Sequence, residues 1–479
     1  MNSLEDRLRE AYHAAADTVR PETVLPGGVR GLHGDGHPAA RPGRRRRSRS
    51  PLLVPLAAAV AVTVVVGTVY VLGSQLFRGA GPQQPPASPT LYIYSYGYSG
   101  EVSHTDPLGR TVTPVNTATG APGKPIHVGV PGGPPKDYYG LPPGGQIVIT
   151  PDGKTAYLTT GSSVTPVNTA TGTPGKPIRV GLGRFGVSVP QIAITPNGKT
   201  AYVTGPFGWV TPISTATNTP GKPIHVAGGH IRAIAITPNG KTAYVTTNTG
   251  AVTPITTATN TVGAAAYVNG GPRSWGGAIA ITPDGKTAYV TTLSGVTPIT
   301  TATNTPGTPI FNHGQADSFG PGSASENIAI TPDGKTVYVL NQNGSVTPIN
   351  TATNKPGPLI GSGRFNALAA LGGTGQIAIT PDGKTVYAMT WADCNLGAGG
   401  HATCPVTVTP INTATNAPDA PITFDVAAGS ISQIAITPDG KTAYATTGST
   451  VTPISTATNT PGTPIHVPGA GYETIAITP

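Results

Sequence analysis

The chain has 479 residues, a net charge of +9, only 10 % charged residues, 65 glycines, 52 prolines and two cysteines. Two cysteines exclude a small disulfide-knit scaffold, and glycine plus proline at about a quarter of the chain, recurring in step, excludes an aperiodic disordered segment. Residues 1–78 hold 11 Arg and 6 acids, whereas 79–479 hold 18 basic and 14 acidic residues. The basic balance thus belongs mainly to the N-terminal arm, which points to membrane topology, and no nucleic-acid partner is expected.

In chain order, residues 1–50 read as a cytoplasmic arm. Within it, 3–20 has the pattern of a short amphipathic helix: Ser3 is a candidate N-cap with Asp6 in the capping-box position, and Leu4, Leu8, Tyr12, Ala15 and Val19 recur at helical spacing. Pro21 to Gly43 is linker, and Arg44 to Arg47 with Arg49 form a basic cluster. Residues 51–75 are expected to be a transmembrane helix, because 52–73 is apolar and no charge occurs between Arg49 and Arg78. That run reaches about 33 Å as a helix, against about 30 Å of bilayer hydrocarbon. The arginines before it predict a cytoplasmic N-terminus and an extracellular remainder. A cleaved signal peptide fits less well, since the apolar run is long and a long arm precedes it. Residues 76–90 are a Pro/Gly-rich spacer.

Residues 91–479 are repeats. I-A-I-T-P-[DN]-G-K-T begins, in whole or in part, at Ile147, Ile192, Ile234, Ile279, Ile328, Ile377, Ile434 and Ile475, and V-T-P begins at Val112, Val164, Val210, Val252, Val296, Val346, Val408 and Val451. A period of roughly 40–50 residues with four short strands is the signature of propeller blades. In each unit strand A is the I-A-I run and strand B the β-branched T-A-Y-V-T-T run. Between them T-P-D-G-K supplies a type I turn with Gly at the left-handed position. Strand C is V-T-P-I, and strand D is the P-I-H-V segment. The proline of V-T-P removes a ladder donor, so a bulge or a late strand start is expected there. Residues 91–128 supply strands B, C and D without an A, and Ile475 to Ile477 supply an A alone. Joined, they make one split blade. The predicted fold is therefore all-β, an eight-bladed propeller of four-stranded blades. A seven-bladed ring from 147–474 is the alternative.

These residues resemble the YVTN-type β-propeller repeat family, of the WD40/YVTN-like superfamily, in a membrane-anchored bacterial form; PDGKTAYLTT at 151–160 and NTATNKPG at 350–357 carry the likeness. It spans all of 91–479 and implies the propeller fold. The family's frequent Asp before T-A-T is replaced by Asn168, Ser214, Thr256, Thr300, Asn350, Asn412 and Ser455. No role tied to that carboxylate carries over. The wider superfamily includes lactonases, quinoprotein dehydrogenases and haem-bearing reductases, but no motif of theirs is matched here.

The search for chemistry finds no catalytic residue, metal set or cofactor motif: H-E-x-x-H, G-x-S-x-G, C-x-x-C-H and a Walker loop are all missing from the sequence. His127, His225 and His466 share one strand-D slot in different blades, and Arg179 fills it in another. They read as outer repeat positions. Tyr92, Tyr157, Tyr202, Tyr244, Tyr289, Tyr338, Tyr387 and Tyr444 hold one strand-B position and read as packing residues. The one-off acids Asp317, Glu326, Asp393 and Asp425 show no telling spacing.

The A–B and C–D turns lie on one face of a propeller, and the B–C and D–A connections on the other. Here the first face is nearly uniform and the second carries the individuality. Its candidate binding residues are Trp209, Trp275, Trp391, Tyr138, Tyr139, Phe185, Arg184, Arg273 and Arg364, with Phe207, Phe319 and Phe365 beside them. Cys394 and Cys404 are expected to form a disulfide around the short Gly-rich loop that follows Trp391. Single-copy aromatics on variable loops over a rigid scaffold predict a binding or scaffolding module for a protein, peptide or glycan. The alternative is an enzyme, such as a lactonase-like hydrolase, with its site in the channel mouth.

Overall fold

The structure is a computed structural model that describes residues 62–65, 68–71, 89–96, 110–128, 145–160, 163–180, 190–268, 277–292, 295–311, 327–341, 344–361, 375–391, 395–396, 402–403, 405–424, 433–448, 450–467 and 472–479. From Thr90 onward these residues form an eight-bladed propeller of antiparallel sheets. In chain order the strands A of the seven continuous blades are Ile147–Ile149, Ile192–Ile194, Ile231–Ile236, Ile279–Ile281, Asn327–Ile330, Gln376–Ile379 and Ile434–Ile436. The remaining blade, blade 1, is the split one. Its strand A is Tyr472–Ile477, which pairs with Thr90–Tyr96 in the register Leu91↔Ile477 and Ile93↔Ile475. Neighbouring A strands lie side by side around the ring, and Tyr472–Ile477 borders both Ile434–Ile436 and Ile147–Ile149, so the ring closes with eight blades rather than seven.

The core is divided among the seams. Each apolar cluster takes residues from two successive blades; Tyr157, Val164 and Ile178 of blade 2, for example, pack with Ile192, Ala201 and Ile213 of blade 3. Strand B shows why the β-branched sequence settles there: Thr242–Thr247 is almost wholly buried along its length. Burying one such aliphatic side chain contributes about 1.5–3 kcal/mol.

The V-T-P proline falls where its missing N–H is harmless. Pro166 stands opposite Tyr157 of strand B, and its carbonyl points the other way and accepts from the Gly175 N–H at 2.7 Å. On that side strand D carries one extra residue. Val167 pairs with Pro174 and Val164 with Ile178, so Gly175, Lys176 and Pro177 face only Thr165 and Pro166. This is a β-bulge, and it answers the expectation of a bulge or a late strand. Gly fits because a Cβ on Gly175 would meet the Pro166 ring at 3.0 Å. The same carbonyl bond recurs in every blade, with Asp419 in place of Gly in blade 7.

Of the stretch 51–75, expected as a membrane helix, the described residues Val62–Val65 and Thr68–Val71 pair as an antiparallel hairpin. Valine and threonine are β-branched and suit strands at least as well as helices. The rest of that stretch, the helix expected at 3–20 and most of the spacer lie outside the described residues. No helix among the described residues is long and apolar enough to cross a membrane.

Candidate functional site

The uniform face is held by local bonds that repeat blade by blade. In blade 2 the Thr150 hydroxyl donates to Asp152 Oδ1 at 2.6 Å, and the same oxygen accepts the Lys154 N–H at 3.1 Å. Burial would raise the Asp152 carboxyl, but these hydrogen bonds and the Lys154 charge outweigh it and hold it below its ordinary range. Gly153 takes φ 71° to complete the turn. The Thr169 hydroxyl then ties the C–D turn to the Gly153 carbonyl at 2.5 Å, which places both turns on one face. Asn168, at the position where an Asp was expected from the resemblance, accepts the N–H groups of Ala170 and Thr171 at 3.0 Å each. Its role is to cap a turn.

The eight strand-B tyrosines do more than pack. Each hydroxyl reaches the C–D turn of the next blade. Tyr157 donates to Asn218 Oδ1 at 2.5 Å, Tyr202 to Asn260 at 2.7 Å, Tyr289 to Asn354 at 2.7 Å, Tyr338 to Asn416 at 2.6 Å and Tyr387 to Asn459 at 2.6 Å. Tyr92, Tyr244 and Tyr444 donate to the carbonyls of Thr169, Thr301 and Thr117. These phenols are occupied as structural donors.

The other face is built differently. At its best-described part, blade 3 turns from strand B to C through Pro206–Gly208, where Phe207 has φ 54° and ψ 39° and is 53 % exposed. A bulky residue in the left-handed region stores strain, and such strain concentrates at functional sites. The Phe207 ring lies 5.1 Å from that of His230. Trp209, half-buried, opens strand C opposite His225, their rings 4.8 Å apart and tilted by 59°. The two pairs are neighbours, since the Val226 N–H donates to the Gly208 carbonyl at 2.8 Å. His230 is clamped through its backbone, whose N–H and carbonyl both bond Asn248 at 2.9 Å. Its Nδ1 is buried and has no hydrogen-bond partner among the described residues. Half-buried Arg232 stands two residues on, in the strand Ile231–Ile236, and burial lowers its pKa.

At the variable-face end of the inner strands the described side chains are mostly amides already engaged between blades. Gln146 donates to Gln191 Oε1 at 2.7 Å and accepts the Ile192 N–H at 3.1 Å; Gln433 accepts the Ile475 N–H at 3.0 Å; Asn327 donates to the Gly375 carbonyl. Arg110, 3 % exposed, stands beside the buried Tyr94 phenol, which burial pushes up to about 12 against the Arg110 charge. The sequence reading missed His230, Arg232 and Arg110. Their signal was there: each is a single-copy residue at a blade position where the other units are not basic.

Of the candidate residues, only Trp209 has a described side chain. Trp391 has a described backbone, paired with Val406. Trp275, Tyr138, Tyr139, Phe185, Arg184, Arg273, Arg364, Cys394 and Cys404 lie outside the described residues. Between the two cysteine positions Asn395 pairs with Thr403 and Leu396 with Ala402. His127, His225 and His466 each end an outer strand and are exposed. Among the described residues no group of three His, Cys, Asp or Glu is placed to hold a metal ion.

No family model matches the chain, and no curated protein matches it in sequence. Solved structures match it in fold. A dihydro-haem d1 dehydrogenase, NirN, solved in complex with DHE, is 14 % identical with a TM-score of 0.56, over 89 % of this chain and 82 % of that one. Hydrazine synthase from Kuenenia stuttgartiensis is 22 % identical with a TM-score of 0.46, over 71 % of this chain and 99 % of that one. At such identities the likeness is one of architecture: this chain folds as a β-propeller.

Proposed function

We propose that this protein is a membrane-anchored, extracytoplasmic propeller of the YVTN type that binds or scaffolds a protein, peptide or glycan through its B–C and D–A face. The observation that carries the reading is Phe207, exposed and left-handed, beside Trp209, His225 and His230 on a rigid seam between two blades. Strained backbone concentrates at functional sites, and an exposed aromatic ring suits a ligand that stacks on it. Trp275, Trp391, Tyr138, Tyr139, Phe185, Arg184, Arg273 and Arg364 belong by sequence to the same face and extend the surface. The Asn395↔Thr403 ladder supports a Cys394–Cys404 disulfide, because those cysteines are the next pair outward.

The anchor reading rests on the apolar run 52–73 and its arginine flank. In the structure the hairpin Val62–Val65 and Thr68–Val71 lies against strands A of the ring. The anchor reading therefore requires this run to leave the ring and become helical on insertion, since a hairpin in a bilayer would leave its outer N–H and C=O groups unpaired. The test is capture of partners from membranes by the detergent-solubilised full chain, with Phe207→Ala and Trp209→Ala as site variants and Lys286→Ala as a control in an A–B turn. Partners that all three variants retain equally would overturn the assignment of the face. Hydrolysis of a lactone by the wild-type chain would favour an enzyme instead.

A further inference from the structure

The uniform face carries charge as well as order. Seven A–B turns each present an exposed lysine: Lys154, Lys199, Lys241, Lys286, Lys335, Lys384 and Lys441. Five of them stand 3.1–3.8 Å from the aspartate two residues earlier. In blades 3 and 4 that aspartate is replaced by Asn197 and Asn239, which make the same turn bonds without the charge. Four more exposed lysines follow the C–D turns, Lys124, Lys176 and Lys222 in the strand-D bulges and Lys355 just before one, opposed only by Asp419. Eleven lysines thus stand against six aspartates, a surplus of five positive charges. Only one further lysine, Lys136, occurs in the chain, and it belongs to a D–A connection.

The chain joins the propeller on this same face. The Thr90 N–H donates to the Thr478 hydroxyl at 2.8 Å, and the Pro89 carbonyl accepts the Thr117 N–H of a C–D turn at 3.2 Å. Between the apolar run that ends at residue 73 and Pro89 lie residues 74–88, a reach of at most about 50 Å when fully extended. If 52–73 is the anchor, the chain enters the propeller on its lysine face, and that entry point lies within about 50 Å of the bilayer.

We infer that the A–B and C–D turn face docks on the anionic phospholipid headgroups of the membrane that holds the anchor; this rests on the reading of 52–73 as a span. The surplus lysines are exposed, spread around a ring and tethered near the surface, which suits many weak headgroup contacts. Docking of this kind weakens when salt shortens the Debye length.

The test uses the full chain reconstituted in phosphatidylcholine vesicles with or without phosphatidylglycerol. Flotation first reports insertion. Amine acylation read by mass spectrometry then reports lysine exposure. The turn-face lysines are expected to react roughly fivefold more slowly on the anionic vesicles, with protection lost at high salt and Lys136 unchanged. Lys199→Glu with Lys241→Glu, in a protein whose melting temperature matches the wild type, is expected to restore most of the reactivity. A chain that does not float with vesicles removes the anchor reading, and the docking with it. A chain that floats but reacts equally on both vesicles overturns the docking alone.

Discussion

The Tyr444 hydroxyl donates to the carbonyl oxygen of Thr117, 327 residues earlier in the chain, at 3.3 Å. Tyr444 belongs to the last continuous blade and Thr117 to the split one. The bond is the one that Tyr244 makes to Thr301 at 2.8 Å between two blades that are consecutive in sequence. The seam between the last continuous blade and the split one therefore carries the same bond as the seams of Tyr92 and Tyr244. The covalent break lies inside the split blade, where strand A, Tyr472–Ile477, pairs with strand B, Thr90–Tyr96, with no A–B turn to join them.

That equivalence predicts the outcome of removing a single hydroxyl. Tyr444→Phe and Tyr244→Phe keep the ring in place and leave one carbonyl without its donor. Each is expected to cost about 0.5–1.5 kcal/mol, read as a drop in denaturant midpoint with an unchanged m-value. If Tyr244→Phe destabilises and Tyr444→Phe does not, the closing seam does not share the bond.

Alkaline pH acts on the same groups together. Burial pushes Tyr157, Tyr202, Tyr289, Tyr338 and Tyr387 up to about 12, and the carboxylates of Asp152, Asp284 and Asp333 add to this at Tyr157, Tyr289 and Tyr338. In the unfolded chain they ionise near 10. Because the folded state holds these protons more tightly, their contribution is complete below pH 10 and is lost as pH rises towards 12. The propeller is expected to keep its stability up to about pH 10 and then lose it steeply. Tyrosinate absorbance should rise together with loss of the β-sheet signal. Tyrosinate absorbance that reaches the full amplitude of all 17 tyrosines near pH 10 with the sheets intact would show that the hydroxyls are not engaged.

Deleting Tyr472–Pro479 removes eight residues and is expected to destabilise the whole ring. The segment supplies the split blade's only strand A, and its Ile475 and Ile477 are buried between blades. The loss is on the order of 5 kcal/mol, since single Ile→Ala changes in cores already cost about 2–5. Thermal melting of the truncated full-length chain measures it. An unchanged midpoint would mean that the ring does not depend on the split blade.

Much of this architecture was legible because it repeats. Counting I-A-I and V-T-P units gave eight blades, and the missing strand A at one end matched the lone one at the other. Pro166 was harder. Its effect is felt in strand D, where Gly175 and not Pro166 itself takes up the extra residue, so the V-T-P spacing alone left two readings open. The tyrosines were read as packing only, because each partner lies in the next blade, about 60 residues on for Tyr157–Asn218, and no local spacing reports it. The T-A-T-N turns gave the missing signal, since each strand-B tyrosine from Tyr92 to Tyr387 is followed one unit later by such a turn or its glycine variant. The candidate site was legible only as composition. Phe207, Trp209 and His230 occur once each, and a single copy offers no second unit against which to check geometry.

Phe207 supplies a test that separates function from stability. Its φ of 54° lies in the left-handed region, where a residue with a Cβ is strained by about 1–2 kcal/mol and glycine is not. Its side chain is 53 % exposed, so little packing is lost when it is removed. Phe207→Gly is therefore expected to raise the stability of the ring slightly, by about 1 kcal/mol at most. If the ring around Trp209, His225 and His230 is the ligand platform, the same substitution weakens ligand binding. Truncating an aromatic anchor at a binding surface costs about 2 kcal/mol or more, roughly thirtyfold in affinity. Trp209→Ala is expected to lose affinity as well, but with some loss of stability, because that side chain is half-buried against His225. Titration of the captured partner against both variants, with melting curves run in parallel, decides the matter. A Phe207→Gly protein that is more stable and binds normally would show that the strain at this turn serves no ligand, and would move the site away from blades 3 and 4.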